Sequence, residues 1–185
     1  MPKENIAHRA NWKRKLKKSE KNICQKIKKE LQKKKNHQGL STTELLRLMS
    51  NSKNFIGVYA ENELDGLIIT SFPSLLICNL DTSSQSGSHW LAIGIFKKRL
   101  EIFDPGGFRL FLWPRIPCNL LTFLHNLSVS RTVHVSKRIQ SSKSSLCGFF
   151  SMFYIIARST LSFTRIQKLF SSRLARNDSI IKSLF

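Results

Sequence analysis

The sequence predicts one domain of mixed strands and helices with a basic tail. Three observations carry this. The run Trp90-Leu91-Ala92-Ile93-Gly94-Ile95-Phe96 is apolar throughout, as expected of a central strand covered on both faces. Arg99-Leu100-Glu101-Ile102-Phe103 alternates polar and apolar and reads as its hairpin partner, with Lys97-Lys98 as the turn. Cys147 to Ala157 is apolar enough to be a buried helix. The chain has 185 residues, of which 41% are hydrophobic, which is enough for one core.

The other elements follow in chain order. Residues 1–38 form a basic segment in which Trp12, Leu16, Ile23, Ile27 and Leu31 recur at helical spacing. On a helix they make one apolar stripe among Lys-rich faces; the alternative is a solvated charge run. Gly39 marks a boundary, so the expected division is a basic N-terminal arm, 1–38, and a folded domain, 39–185. Ser41 followed by Glu44 is a capping box that opens a helix with Leu45, Leu46, Leu48 and Met49. Phe55 to Tyr59 is a short apolar piece, and Leu75 to Leu80 a strand. Thr82 to Ser88 is a loop. Val129 to Ile139 reads as another strand, and two short helices follow near Arg165–Leu174 and Ser179–Leu184.

The formal charge is +20, from 31 basic and 11 acidic residues. Residues 1–38 hold 14 Lys/Arg against 3 Glu, and residues 39–185 hold 17 against 8 Asp/Glu. The excess is therefore spread over tail and body, which points to a polyanionic partner, most simply nucleic acid. No apolar run approaches the roughly 20 residues that cross a bilayer, and the N-terminus lacks the apolar core of a signal peptide. An intracellular protein without a membrane partner is expected. The run Lys13-Arg14-Lys15-Leu16-Lys17-Lys18 is compatible with a localisation signal. Cys24, Cys78, Cys118 and Cys147 contain no Cys-x-x-Cys pair, so neither a zinc site nor a disulfide framework is expected.

Four residues carry chemistry. A thiol attacks as the thiolate and needs a base. Cys147 stands where a loop enters a helix, and a helix N-terminus favours the anion. His89 ends a strand and can take the proton. Asp104 ends the next strand, so the hairpin brings the two to one end of the sheet, where the carboxylate fixes the imidazole tautomer. Gln140 can supply a side-chain oxyanion donor beside the amide of Cys147. Singly, each has an ordinary explanation: a surface His, a small buried hydrophobe, an Asp-Pro-Gly-Gly turn, a lone Gln. Together and in this order they match a cysteine protease.

His89-Trp90, Phe103-Asp104-Pro105-Gly106-Gly107-Phe108, and Gln140 seven residues before Cys147-Gly148-Phe149-Phe150 resemble the adenovirus endoprotease family. Asn54-Phe55-Ile56-Gly57-Val58-Tyr59 resembles that family's Phe-x-Gly-x-Tyr segment, and the likeness spans roughly residues 42–157. The resemblance implies an α+β fold of the papain-like/Ulp1-like kind. In it a central mixed sheet packs against helices, with the catalytic cysteine at a helix N-terminus. It also implies catalytic roles for His89, Asp104, Gln140 and Cys147, and cleavage of capsid or core precursors at Gly-containing sites during virion maturation. DNA binding, a monomeric state and residence in the host nucleus and virion are further expectations. No metal cofactor is expected; stimulation by DNA is, while activation by a disulfide-linked peptide is in doubt. The acidic member is Asp104 where adenovirus members have Glu, the N-terminal 38 residues have no recognised counterpart, and the C-terminal region is shorter. Cys118 lies only in the same broad interval as the cysteine of the peptide-activated enzymes. The alternatives are a Ulp1-like protease that removes a ubiquitin-like modifier, and a nucleic-acid-binding protein on a relic protease fold.

Overall fold

Alternation along the strands assigns their side chains to two opposite cores. In the computed structural model, which describes residues 16–32, 39–107 and 116–185, five strands form one sheet in the order β1-β2-β3-β4-β5. These are β1 (Phe55–Tyr59), β2 (Ser74–Asn79), β3 (Trp90–Phe96), β4 (Arg99–Phe103) and β5 (Thr132–Val135). The outer pairs β1–β2 and β4–β5 are parallel; β2–β3 and β3–β4 are antiparallel. Leu75 and Ile77 of β2, Ala92 of β3 and Phe103 of β4 face one core. Leu76, Cys78, Leu91, Ile93, Ile95, Leu100 and Ile102 face the other. The all-apolar run of β3 is thus explained by cover on both sides.

The first core is roofed by helices. These are α1 (Lys18–Leu31), α2 (Thr42–Met49), α4 (Cys147–Arg158), α5 (Phe163–Gln167) and α6 (Leu174–Leu184). Helix α3 (Cys118–Ser128) covers the second core through Leu120, Phe123 and Leu124. All but the last residue of α4 are buried, so it is the central helix of the larger core. This is the mixed α+β class with a five-stranded sheet between helices, as expected.

Ser41 caps α2 by the expected reciprocal bonds with Glu44. Helix α1 turns Cys24, Ile27 and Leu31 inward, with Leu16 just before it also in the core and Ile23 packed at the margin. Its Glu20 is buried because one oxygen accepts from the Lys17 amide at 2.6 Å and the other from Ser159 Oγ at 2.9 Å. The basic segment therefore contributes a packed helix whose outer face carries Lys18, Lys26 and Lys29. Trp12, Lys13 to Lys15 and Phe108 lie outside the described residues.

Two expectations are corrected, and one further helix is found. The strand expected over 129–139 is confined to Thr132–Val135: the Ser136 amide still donates to the Ile102 carbonyl at 2.9 Å while its side chain turns to Asp104, and Val129 sits exposed before the strand. Helix α3 was not expected, although Leu120, Phe123, Leu124 and Leu127 follow helical spacing. The last two helices run Phe163–Gln167 and Leu174–Leu184.

A buried ion-pair cluster ties α4 to the sheet. Glu101 is fully buried on β4. It accepts from Arg158 Nε at 2.6 Å, Arg158 Nη2 at 3.0 Å and Tyr154 Oη at 2.8 Å. Arg99 Nε reaches its other side at 2.9 Å. Opposite, Gly94 on β3 leaves room for the tyrosine: a Cβ there would lie 2.3 Å from Tyr154 Oη.

Candidate active site

The β3–β4 hairpin sets the first pair. Ala92 lies opposite Phe103 in the antiparallel register. Continuing that register past the strand ends brings His89 opposite Gly106 and Asp104 beside them. His89 Nε2 meets Asp104 Oδ1 at 2.6 Å. The same Oδ1 accepts from the Gly106 amide at 2.7 Å. Asp104 is wholly buried, whereas the His89 side chain keeps 19% of its surface exposed. The acid is thus locked and the base remains reachable.

Helix α4 supplies the thiol. Leu146 is its N-cap and Cys147 its first residue, so the Cys147 amide has no acceptor within the helix. The thiol hydrogen-bonds the His89 ring and receives the backbone amides of Trp90 and Gly148. Since Nε2 is taken by Asp104, Nδ1 is the ring nitrogen left for sulfur. Gly148 packs closely: a Cβ there would stand 3.3 Å from both Leu40 Cβ and Trp90 Cδ1, tighter than ordinary contact. Trp90 in turn donates its indole N–H to the Leu40 carbonyl at 2.8 Å, holding that segment over the helix start.

The electrostatics follow from these contacts. Burial alone would lower the His89 pKa. Hydrogen bonds to Asp104 and Cys147, with the negative charge of both, outweigh it and push the imidazole up to about 10. Burial would raise the Cys147 thiol. The bond and charge of His89, with the amides of Trp90 and Gly148, instead hold it below its ordinary value. Both shifts favour a thiolate facing an imidazolium. Cys24 shows the contrast: burial, then the charge of Glu20, pushes its thiol up to about 12. Cys78 is raised further by burial and by Glu61 and Glu63.

Gln140 lies in the loop that leads to α4 and is buried. Its Nε2 donates one hydrogen to the Ser144 carbonyl at 2.6 Å, which leaves the second N–H of the amide. Its own backbone amide and that of Ile139 both donate to the Pro105 carbonyl at 2.9 Å. The Gln140 loop is therefore fastened to the turn that carries Asp104.

Two supporting residues carry no signal in the sequence. Ser136 Oγ accepts from the Asp104 amide and donates to the Asp104 carbonyl, both at 2.8 Å. In the sequence Gly106 marks only a turn, yet its amide is the second donor to Asp104 Oδ1. Nothing in the spacing marked Ser136, which is 32 residues from its partner. Among the described residues, no group of three or more His, Cys, Asp or Glu side chains is placed to hold a metal ion.

A model of the adenovirus endoprotease family matches residues 55–173, well over half of the chain. The chain belongs to that family. The matched stretch includes His89, Asp104, Gln140 and Cys147. At the level of the adenovirus endoprotease family, the protein is a viral-type cysteine endopeptidase, and its substrates are proteins. No curated protein matches the sequence. Among the described residues, no helix is long and apolar enough to cross a membrane.

Proposed function

We propose that the protein is a maturation endopeptidase that cuts capsid or core precursors at Gly-containing sites, with Cys147 as nucleophile, His89 as general base and acid, Asp104 as its orienter and Gln140 as oxyanion donor. The observation that carries the reading is the contact of one imidazole with both the Asp104 carboxylate, at 2.6 Å, and the Cys147 thiol. The exposed Gly106 beside His89 supports a substrate backbone that approaches closely.

The chemistry runs in two halves. The Cys147 thiolate adds to the scissile carbonyl carbon and the carbonyl π electrons move to oxygen. The amide of Cys147 and the free N–H of Gln140 stabilise that oxyanion. The carbonyl then reforms and the C–N bond breaks. The His89 imidazolium gives its proton to the departing amine, leaving a thioester and a neutral imidazole. Water attacks the thioester while His89 takes its proton. The thiolate leaves, an acid product is released, and the ion pair is restored.

We further propose that it acts on DNA-bound precursors in the host nucleus and virion. The support is the +20 charge and the outward lysines of α1. The test of the endopeptidase reading is turnover of a fluorogenic peptide whose scissile bond follows Gly-Gly, together with an internal Gly-containing precursor segment. Hydrolysis of both, abolished by Cys147→Ala, is the expected result. Hydrolysis only at the end of a folded ubiquitin-like domain would favour deconjugation instead. Turnover that survives Cys147→Ala would overturn the reading.

A further inference from the structure

The loop that carries Gln140 is braced by the last helix, beyond the stretch matched by the family. Asn177 and Asp178 lie in α6 (Leu174–Leu184), whereas the match ends at residue 173. Asn177 is fully buried. Its Nδ2 donates to the Ile139 carbonyl at 2.8 Å and the Ser171 carbonyl at 2.9 Å. Its Oδ1 accepts from the Ser171 amide at 3.0 Å and Ser171 Oγ at 3.2 Å. Two donors and two acceptor sites are the full capacity of an amide, so this side chain is saturated. The next residue, Asp178, accepts from Ser141 Oγ at 2.5 Å. Two consecutive residues of α6 thus grip the residues on either side of Gln140.

The opposite side of the same loop is held by the Pro105 carbonyl, which accepts from the Ile139 and Gln140 amides. The Gln140 backbone is therefore clamped between the turn that bears Asp104 and helix α6. Its side chain has less support. The amide nitrogen bonds Ser144, while Oε1 is buried without a partner among the described residues. The aim of the remaining N–H consequently depends on where the backbone is held.

We propose that Asn177 and Asp178 are positioning residues that aim the Gln140 amide at the oxyanion. The proposal rests on the reading of Gln140 as an oxyanion donor. Oxyanion stabilisation depends on donors fixed before charge develops. A misplacement of about 1 Å at a distance from the chemistry can cost about 10²-fold.

The test compares Ser141→Ala, Asn177→Asp, Asp178→Asn and Gln140→Ala with the unaltered chain in three assays. The first is kcat and KM on a fluorogenic peptide whose scissile bond follows Gly-Gly. The second is the alkylation rate of Cys147 by iodoacetamide, which reads the thiolate and needs no oxyanion donor. The third is affinity for a peptide aldehyde, whose carbonyl accepts the thiolate and becomes an oxyanion without a leaving group. Ser141→Ala should lower kcat by about tenfold with KM little changed. Aldehyde affinity should fall in parallel and the alkylation rate should stay constant. Asn177→Asp sets a carboxylate against the Ile139 carbonyl and should cost more. Asp178→Asn keeps an acceptor for Ser141 and should retain most activity. On a Gln140→Ala background, Ser141→Ala should add nothing. If Gln140→Ala is damaging while Ser141→Ala and Asn177→Asp are neutral, the positioning role is overturned. It is also overturned if alkylation slows as much as turnover, because that marks general loosening. If Gln140→Ala leaves kcat and aldehyde affinity unchanged, the donor role itself fails and takes this proposal with it.

Discussion

The Gly106 amide and the His89 ring share one oxygen of Asp104: Oδ1 accepts from Gly106 at 2.7 Å and meets His89 Nε2 at 2.6 Å. The glycine leaves this arrangement close to its packing limit. A Cβ at position 106 would stand 3.2 Å from Oδ1 and 3.4 Å from His89 Cε1. Asp104 cannot retreat, because it is wholly buried and fixed by Ser136 at both its amide and its carbonyl.

Gly106→Ala should therefore displace the imidazole rather than the acid. The expected outcome is a fall in kcat of about tenfold, by misplacement of the base. Thermal stability should change little, because Gly106 is exposed. Steady-state kinetics with thermal unfolding of the same variant check this. Wild-type kcat in the Ala variant would count against the close packing.

The pH profile follows from the two shifted groups. The reactive form pairs a thiolate with an imidazolium. The Cys147 thiol is held below its ordinary value, so activity should rise with pH on the acid side of the usual thiol range. His89 is pushed up to about 10, so activity should fall only as pH passes through that region and the imidazolium loses its proton. Asp104→Asn keeps the shape and removes the charge that raises His89. The alkaline limb should then move to lower pH. The acid limb should move up, since a weaker imidazolium stabilises the thiolate less. Measured kcat/KM from acid to alkaline pH decides it, and an alkaline limb unmoved by Asp104→Asn would contradict the assigned role.

Glu101 tests the packing of α4 on the sheet. Glu101→Ala leaves Arg158 and Tyr154 without their buried carboxylate. Removing one partner of such a pair costs about 3–5 kcal/mol. Denaturant unfolding measures it. A loss below about 1 kcal/mol, the range of exposed pairs, would mean that water replaces the carboxylate easily.

The predicted DNA interaction is electrostatic. Log affinity for duplex DNA should fall with log salt at a slope near −0.9 per phosphate neutralised. Replacing Lys18, Lys26 and Lys29 by Gln should flatten the slope without abolishing binding, because the body retains basic excess. Truncating residues 1–38 is the wrong experiment, since it would strip Cys24, Ile27 and Leu31 from the core. Titrations at several salt concentrations check the prediction. An affinity that ignores salt or follows base sequence would refute it.

The legible parts of the site were those fixed by short-range geometry. His89 precedes and Asp104 follows one hairpin, at the same end of the sheet, and period-two alternation with a two-residue turn sets their register. Cys147 was legible because an apolar helix follows it directly. Ser136, Asn177 and Asp178 were not legible. Their partners are 32, 38 and 37 residues away, and a buried Ser, Asn or Asp leaves no periodic trace. Helix α1 was half hidden for another reason. Its lysines suggest a solvated run, and nothing in the sequence marks Glu20 as buried against Ser159. Helix α3 carried its signal in Leu120, Phe123, Leu124 and Leu127, but no side-chain cap marks its start at Pro117.

The most direct test of the central claim is competitive labelling of the four cysteines by iodoacetamide at pH 6, read by peptide mass mapping. Cys24 and Cys78 are buried with raised thiols, Cys118 is exposed, and the Cys147 thiol is lowered by its histidine partner. Cys147 should be modified first, with loss of peptide turnover in step with its labelling, and His89→Ala should remove that preference. Modification of the exposed Cys118 ahead of Cys147, or equal labelling of all four, would contradict the account.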